Sequence, residues 1–272
     1  MTICLPFLFF RLISMITNAQ VKTITALKEK KFRERSGLFV VEGRKMTQEL
    51  IKSDYEIEQI FACKEWIEDN KILVASLNKI ANLVVEVADR ELSRISSLST
   101  ADRVICIVKQ RKTNEVEWQT NEKKLVLALD DINNPGNLGT IIRMALWFGV
   151  KDIVCSKDTV DCYNPKTLQS TMGAIFHVNI SYTDLTEFLF KNQKRNIYGT
   201  VLLNGKNIYK QQLQNDGIIV IGSESHGISD KVKRFVNNPI TIPCFAPSNE
   251  VESLNASVAC GIILSEFRRT IF

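Results

Sequence analysis

Short apolar runs alternate with amphipathic runs along the second half of this chain, and no other feature constrains its fold as strongly. Residues 125–131, 151–156 and 217–224 are apolar runs with the length of buried strands, whereas residues 137–149 and 253–269 have helical periodicity. Strands that alternate with helices build an α/β fold with a parallel sheet. The remaining elements of this domain are predicted as strands at 176–180, 196–203 and 240–243 and as helices at 165–173, 183–193 (capped by Thr183) and 229–236.

The first part of the chain predicts a separate, smaller α/β domain over residues 15–110. Residues 111–122 are polar and lack periodicity, which indicates a linker before the second domain at 123–272. The elements expected in the first domain are a helix at 21–35, a helix from Gly43 to Ile51, and strands at Leu38–Glu42, 57–63, 71–76 and 103–110.

Residues 1–14 predict an N-terminal extension outside the fold. Residues 3–10 are almost wholly apolar, but Arg11 follows the apolar stretch instead of preceding it, and no small-residue cleavage site comes after it. Two interpretations stay open. An upstream start codon, with Met15 opening the folded protein, is favoured over a membrane or export signal. No apolar run reaches the ~20 residues that span a bilayer.

Cysteine and histidine usage indicates a cytoplasmic protein without a metal site. The chain of 272 residues has seven cysteines, scattered without a C-x-x-C pair, as expected for thiols that stay reduced. It has two histidines, far apart in sequence, which argues against a dedicated zinc site.

The net charge of +5 is concentrated near the start of the first domain. Residues 21–45 contain eight Lys or Arg against three Glu. This stretch is either a solvated helix face or a patch that contacts the phosphates of a nucleic acid. In the second interpretation, the RNA contacts are Lys28, Lys30, Lys31, Arg33 and Arg35.

Three polar loops follow predicted strands of the second domain, at the sheet edge where α/β proteins bind ligands. They read NPGNLGTIIR at 134–143, GSESHG at 222–227, and Ile242-Pro243 followed by ESLNASVA at 252–259. None is the G-x-G-x-x-G of a dinucleotide site, the Walker phosphate loop or the G-x-S-x-G elbow of a serine hydrolase.

In this order and spacing, the three loops resemble the motifs of the SpoU (TrmH-like) family of RNA ribose 2′-O-methyltransferases. Residues 24–43 resemble, more loosely, that family's ribosomal-protein-like substrate-binding domain. The resemblance implies a SPOUT fold, in which the parallel sheet ends in a C-terminal trefoil knot, and a homodimer. It also implies S-adenosylmethionine as cofactor and RNA as substrate, with ribosomal RNA favoured over tRNA by analogy.

The resemblance also assigns roles to individual residues. Arg143 either activates the 2′-hydroxyl or stabilises its developing charge, because a guanidinium is a poor base. Glu224 is either catalytic or a structural carboxylate at a helix start, and no role is predicted for His226. The predicted catalytic residues are Arg143, Glu224, Ser253 and Asn255; the predicted cofactor contacts are Gly222, Ser223, Ile242, Pro243 and Leu254; and Asn134 and Asn137 are predicted to contact RNA.

The third motif departs from the family pattern. Cys244 stands where methionine is usual, and the loop at 245–251 is longer than typical. Two other functions stay open: an RNA-binding relative that keeps the fold without catalysis, and an unrelated α/β enzyme acting on a small acidic metabolite. The four intact polar motif residues favour an active methyltransferase over both.

Overall fold

The structure, a computed structural model, divides the chain into two compact units, Met1–Gln110 and Arg111–Phe272. It describes residues 15–81, 83–98, 100–112, 115–119, 122–246 and 253–269, without the side chains of 78–81. The predicted extension at 1–14 and most of the loop at 245–251 lie outside the described residues. In the described part of the chain, no helix is both long enough and apolar enough to cross a bilayer.

The first unit is a four-stranded mixed sheet with helices between its strands. The strand order is β1-β4-β2-β3, with β4 antiparallel to both neighbours and β3 parallel to β2. Its core contains Phe39, Leu50, Ile60, Leu92 and Ile105, all fully buried. Its elements are α1 (Asn18–Ala26), α2 (Lys30–Ser36), β1 (Leu38–Glu42), α3 (Arg44–Ile51), β2 (Ile57–Ala62), α4 (Lys64–Asp69), α5 (Lys71–Ala81), β3 (Val84–Glu86), α6 (Asp89–Ile95) and β4 (Val104–Lys109).

Two predictions for the first unit are wrong. The strand expected at 71–76 belongs to helix α5, in which Val74 is buried and Ile72 is exposed. Side chains two apart on a strand share a face, so this burial pattern suits a helix. The single helix expected at 21–35 is two helices, because the buried guanidinium of Arg33 donates Nη1 to the carbonyls of Leu27 and Lys28, both at 2.8 Å, where α1 ends.

The second unit is a seven-stranded sheet in the order β7-β6-β5-β10-β8-β11-β9, and every pairing is parallel. This confirms the predicted α/β class. Central strands β5 and β10 are buried along their whole lengths, as expected for a sheet covered on both faces. Its elements are β5 (Leu125–Asp130), α7 (Pro135–Trp147), β6 (Asp152–Ser156), α8 (Pro165–Thr171), β7 (Asn179–Thr183), α9 (Leu185–Lys191), β8 (Ile197–Thr200), β9 (Lys206–Asn207), β10 (Gly217–Gly222), α10 (Asp230–Lys233), β11 (Asn238–Thr241) and α11 (Ala256–Arg269).

Two local predictions for the second unit need correction. The strand expected at 176–180 is a 3₁₀ turn over Ala174–His177, followed by β7. Helix α9 is capped by Asp184 instead of Thr183, because the Asp184 carboxylate accepts from the Thr186 N–H at 2.8 Å. That hydrogen bond and one from the Thr186 hydroxyl lower the pKa of Asp184.

The segment predicted as a linker packs on the second unit through Trp118. Its ring stacks on Phe188, with the two centroids 6.2 Å apart, and the Arg195 guanidinium lies 4.2 Å from its centroid. The polar composition of residues 111–122 concealed this single aromatic anchor.

Candidate functional site

The first motif forms the turn between β5 and α7. Asn134 caps the helix, because its side-chain oxygen accepts from the N–H groups of Gly136 at 2.8 Å and Asn137 at 3.3 Å. Pro135 occupies the first helical turn, where a missing N–H costs nothing. The cap directs the start of α7 toward the carboxyl edge of the sheet, and Asn137 is half-buried there.

Gly139 of the same motif has a packing role. A Cβ at this position would lie 2.4 Å from Ser170 Cβ and 2.5 Å from the Thr167 carbonyl oxygen, so the glycine allows α8 to pack tightly against α7. The motif therefore combines one residue that shapes the helix start, one that packs helices together and one whose side chain enters the site.

The second motif is a tight loop that folds back on the end of β10. Ser223 and Gly227 exchange two backbone hydrogen bonds, of 3.1 and 2.8 Å, and Gly227 has a φ of +67°. A Cβ on Gly222 would lie 2.1 Å from the carbonyl carbon of Gly227. The glycine at 222 is therefore required by the loop itself, which is a constraint separate from the predicted approach of a cofactor.

Glu224 joins the three motifs at one carboxylate oxygen. Its Oε1 accepts from Asn137 Nδ2 at 2.6 Å, from Asn255 Nδ2 at 2.6 Å and from the Ala256 N–H at 3.0 Å. Asn255 in turn caps α11, because its Oδ1 accepts from the Ser257 N–H at 3.0 Å. The structure thus brings together Asn137, Glu224 and Asn255, one residue from each motif.

Arg143 and Ser253 do not join this cluster. Arg143 is exposed on α7 and has no hydrogen bond or ion pair with any residue that the structure describes. It follows Asn137 by six residues, which on a helix places the two side chains about 120° apart around the axis and about 9 Å apart along it. Ser253 is exposed just before the start of α11.

The predicted cofactor residues lie at the carboxyl ends of two strands. Gly222 and Ser223 end β10, whereas Ile242 and Pro243 follow β11 and are half-buried. Strand β8 lies between β10 and β11, so the two ends are about 10 Å apart. Leu254, 43% exposed, precedes α11.

Sequence reasoning missed a set of exposed apolar side chains at this edge. Leu202 and Leu203, in the loop after β8, are 70% and 80% exposed, and Phe245 after β11 is 88% exposed. The sequence does contain a signal for this apolar surface, because the two leucines directly follow a strand that ends at the ligand-binding edge.

A second missed feature connects the first two motif loops. Asp131 Oδ2 and His226 Nε2 are 2.9 Å apart, and His226 Nδ1 lies 2.9 Å from the Ser225 hydroxyl. Ser225 lines a cleft of about 170 Å³, together with Ile132, Asn133, Asn134, Asn137, Ser223, Glu224 and Ala256. His226, to which the sequence assigned no role, therefore contacts a residue that lines this cleft.

Cys155 and Cys260 are buried thiols and are not nucleophiles. Burial raises the pKa of the Cys260 thiol to about 12, and it raises that of Cys155 well above its usual range. Both side chains are fully buried in the core.

In the first unit, the predicted phosphate contacts separate into two groups. Lys30, Lys31 and Arg35 are exposed on α2, but the prediction for Arg33 is wrong, because Arg33 is 2% exposed and donates to backbone carbonyls. Lys28 is half-buried and donates its ammonium to the Ser96 carbonyl at 2.9 Å. Three of the five residues are therefore exposed to a ligand, although Lys30 lies 3.7 Å from Glu34 and Lys31 lies 3.0 Å from Glu29.

Comparisons with known proteins find family matches in both units of the chain. Residues 124–265 match the model of the SpoU rRNA Methylase family, and residues 18–106 match an MRM3-like substrate binding domain. The 23S rRNA (guanosine(2553)-2′-O)-methyltransferase RlmP of Bacillus subtilis is 25% identical over 92% of this chain and 96% of its own length.

Solved structures superpose on nearly the whole chain. A putative RNA methyltransferase of the TrmH family from Porphyromonas gingivalis is 30% identical, with a TM-score of 0.78 over 94% of this chain and 100% of its own. An AdoMet-bound rRNA methyltransferase from Sinorhizobium meliloti is 27% identical, with a TM-score of 0.82 over 96% of this chain and 98% of its own. Because the family model covers more than half of the sequence, including all three motif loops, this chain belongs to the SpoU rRNA Methylase family.

Proposed function

We propose that this protein transfers a methyl group from S-adenosylmethionine to a ribose 2′-hydroxyl of ribosomal RNA. The observation that carries the proposal is the cluster of Asn137, Glu224 and Asn255, which joins the three family motifs beside a cleft at the ligand-binding edge. Ribosomal RNA is favoured over tRNA because the Bacillus subtilis and Sinorhizobium meliloti relatives, which match both units, are named as rRNA methyltransferases.

The residues at the carboxyl edge fit S-adenosylmethionine. Exposed apolar side chains at Leu202, Leu203 and Phe245 offer a surface for an adenine ring, and the backbone at 222–223 and 242–243 offers hydrogen bonds to its edge. When bound, the cofactor supplies an electrophilic sulfonium methyl group. Leu254 completes the set of side chains that we assign to its binding.

The catalytic assignment rests on two kinds of residue. Glu224 and Asn255 fix the start of α11 and the shape of the cleft, so we assign them a positioning role. Arg143 and Ser253 are exposed and available to the RNA, Arg143 for a phosphate or the developing oxyanion. Asn134 and Asn137 line the cleft on the substrate side.

Two further features of the family fold are proposed on the basis of topology. Strand β11 inserts between β8 and β9, which are connected by residues 201–205, and the Val201 N–H donates to the Ile240 carbonyl at 3.0 Å. A later strand under an earlier connection supports a C-terminal trefoil knot. Exposed apolar side chains on two packed helices, Trp147 on α7 (82%) and Val258 on α11 (51%), support a homodimer through that face.

We further propose that residues 15–110 bind the RNA, that 111–122 connect the domains and that 123–272 carry the chemistry. The match of residues 18–106 to a substrate-binding domain supports this division. The free cysteines among the described residues suit the reducing cytoplasm in which ribosomal RNA is modified.

The proposed function is tested by two measurements. Calorimetry should detect binding of S-adenosylmethionine to the full chain, and mapping of ribose methylation in total RNA, with and without the gene, should show one missing 2′-O-methyl group in ribosomal RNA. Loss of a modification in tRNA alone would contradict the proposed substrate. A protein that binds RNA but not the cofactor would be the non-catalytic relative.

A further inference from the structure

Four side chains form a continuous hydrogen-bonded chain that ends in the cleft. The Asp131 carboxylate contacts His226 Nε2 at 2.9 Å, His226 Nδ1 contacts the Ser225 hydroxyl at 2.9 Å, and the hydroxyls of Ser225 and Ser223 are 2.8 Å apart. Ser223 and Ser225 line the cleft, and His226, which is exposed, connects Ser225 to Asp131 outside the lining. The chain crosses from the loop after β5 to the loop after β10.

The chemistry of these groups fixes the direction of each hydrogen bond. An ionised carboxylate only accepts, so His226 donates from Nε2–H to Asp131 and its Nδ1 is left as an acceptor. Ser225 must then donate its hydroxyl proton to Nδ1, and it accepts from the Ser223 hydroxyl. One lone pair of the Ser225 oxygen remains available to a hydroxyl group in the cleft.

Two other polar groups of the site have different assignments. The guanidinium of Arg143 is a hydrogen-bond donor without an acceptor atom. The Oε1 atom of Glu224 accepts three hydrogen bonds that position α7 and α11. An imidazole, by contrast, exchanges protons readily near neutral pH. Asp131 is the charged group that contacts this imidazole, and Glu224 lies two residues before it on the same loop.

Asp131 is held in a backbone conformation that favours glycine, with a φ of +59°. Non-glycine residues adopt this region at some cost, though aspartate tolerates it better than most. The Asn133 side chain donates to Asp131 Oδ1 at 2.9 Å, and the Asp131 N–H donates to the Ser156 hydroxyl at 3.0 Å. The carboxylate is therefore oriented toward His226 by contacts on both sides.

We propose that Ser225, His226 and Asp131 form a proton relay that deprotonates the 2′-hydroxyl, an inference that rests on the proposed methyl transfer. As the ribose oxygen forms its bond to the sulfonium methyl carbon, the S–C bond breaks and its electron pair stays on sulfur, giving a neutral thioether. The hydroxyl proton passes to the Ser225 oxygen, and the Ser225 proton passes to His226 Nδ1. Asp131 stabilises the imidazolium that results.

The first test detects the hydrogen bonds of the relay by NMR and does not depend on catalysis. The chain has two histidines, so long-range ¹H–¹⁵N NMR spectra of the full protein give two imidazole patterns, which the His226→Gln variant assigns. We expect the His226 ring to carry its proton on Nε2, and we expect Ser225→Ala to shift the Nδ1 resonance while Asp131→Asn shifts both nitrogens. A ring protonated on Nδ1, or one unaffected by Ser225→Ala, would overturn the relay.

The second test measures single-turnover methyl transfer to RNA from pH 5.5 to 9. The wild-type rate should fall toward low pH, because a protonated imidazole cannot accept the proton. Ser225→Ala and His226→Gln should each lower the rate about 10²–10³-fold near pH 7.5, within the range of general acid–base catalysis, and His226→Gln should lose the acidic limb. Affinities for RNA and cofactor should stay within about threefold. His177→Gln, which removes the other imidazole, is the matched control.

A purely structural contact between the loops gives a different pattern. In that case His226→Gln and Asp131→Asn would reduce stability and activity together, whereas Ser225→Ala would retain nearly full activity, and the relay would be wrong. Wild-type transfer is measured first, because its absence would contradict the proposed function itself, whereas normal transfer by all three variants would contradict the relay alone.

Discussion

A single carboxylate oxygen organises much of the candidate site. Glu224 Oε1 accepts hydrogen bonds from α7, from the residue that caps α11 and from the first N–H of α11. A carboxylate at a helix start is also favoured by the helix dipole. These contacts give the glutamate of the second motif a structural role. We assign the proton transfer to other residues.

Two substitutions of Glu224 should therefore distinguish its role in positioning the helices from a direct catalytic role of its negative charge. Glu224→Ala removes three hydrogen bonds from largely exposed donors, which water can then replace, and should lower the free energy of unfolding by about 1 kcal/mol. Glu224→Gln keeps an oxygen at the same place and should retain activity within about tenfold. Urea unfolding and single-turnover assays of the two variants measure this. Equal loss of activity in both, at unchanged stability, would show that the charge acts directly in catalysis.

Arg143 belongs to the same motif as Asn137 but has a different position and role. Because it is exposed and away from the residues that we assign to the cofactor, Arg143→Ala should lower methyl transfer about 10²–10³-fold, as expected for loss of a charge-stabilising donor. Affinity for S-adenosylmethionine, measured by calorimetry, should be unchanged. A parallel loss of cofactor affinity would place this side chain in the cofactor site.

At the scale of elements, the motif loops could be predicted from sequence, but their contacts could not. The order of polar loops after strands located the site at the carboxyl edge. Sequence spacing did not reveal that Asn137 and Arg143 lie on different sides of α7, or that Arg33 is buried under α1. The apolar run at 71–76 suits a strand and a helix equally, and only burial of Val74 with exposure of Ile72 distinguishes them.

The second motif loop predicts contrasting effects for its two glycines. Gly222→Ala places a methyl group 2.1 Å from the Gly227 carbonyl carbon, and overpacking of this kind should cost about 1–3 kcal/mol or more and displace the loop. Gly227→Ala meets no atom within 4 Å, so its cost is the left-handed backbone alone, about 1–2 kcal/mol. Urea unfolding should rank Gly222→Ala as the more damaging; the reverse order would contradict the packing argument.

In the first unit, Asp102 predicts a pH-dependent contribution to stability. Desolvation raises its pKa, but hydrogen bonds from the backbone N–H groups of Arg44 and Arg103, together with the charge of Arg44, outweigh this and lower it. A lowered folded-state pKa stabilises the fold above the unfolded value of about 3.9, and the gain is lost as pH falls through the folded value.

Asp102→Asn should therefore destabilise the protein by about 1 kcal/mol at pH 7, a typical value for a carboxylate that accepts from helix-start N–H groups. The difference from wild type should shrink steadily below pH 4. Thermal unfolding across pH 3–7 measures it. A difference that is independent of pH would mean that the side chain acts through shape alone.

At the scale of the whole molecule, α2 of the first unit should contribute the charge that binds RNA. Changing Lys30, Lys31 and Arg35 to glutamine should weaken RNA binding and flatten its salt dependence by up to ~0.9 log units of slope per phosphate contact on a duplex, or ~0.7 on a single strand. The matched control changes Lys52, Lys64 and Lys71, exposed lysines on other helices of the same unit. If the salt dependence of RNA binding had the same slope in both triple variants, α2 would be a solvated helix face that does not contact RNA.

The position of β10 has a consequence for biosynthesis. The strand lies at the centre of the sheet, between β5 and β8, although β5 begins at Leu125 and β10 only at Gly217. At about 5–20 residues per second, a ribosome needs roughly 5–20 s to synthesise the residues that separate them. During that interval the apolar edge of β5 has no partner and can pair with other chains. The risk of aggregation therefore falls on the nascent polypeptide, and it ends when the last quarter of the chain closes the middle of the sheet.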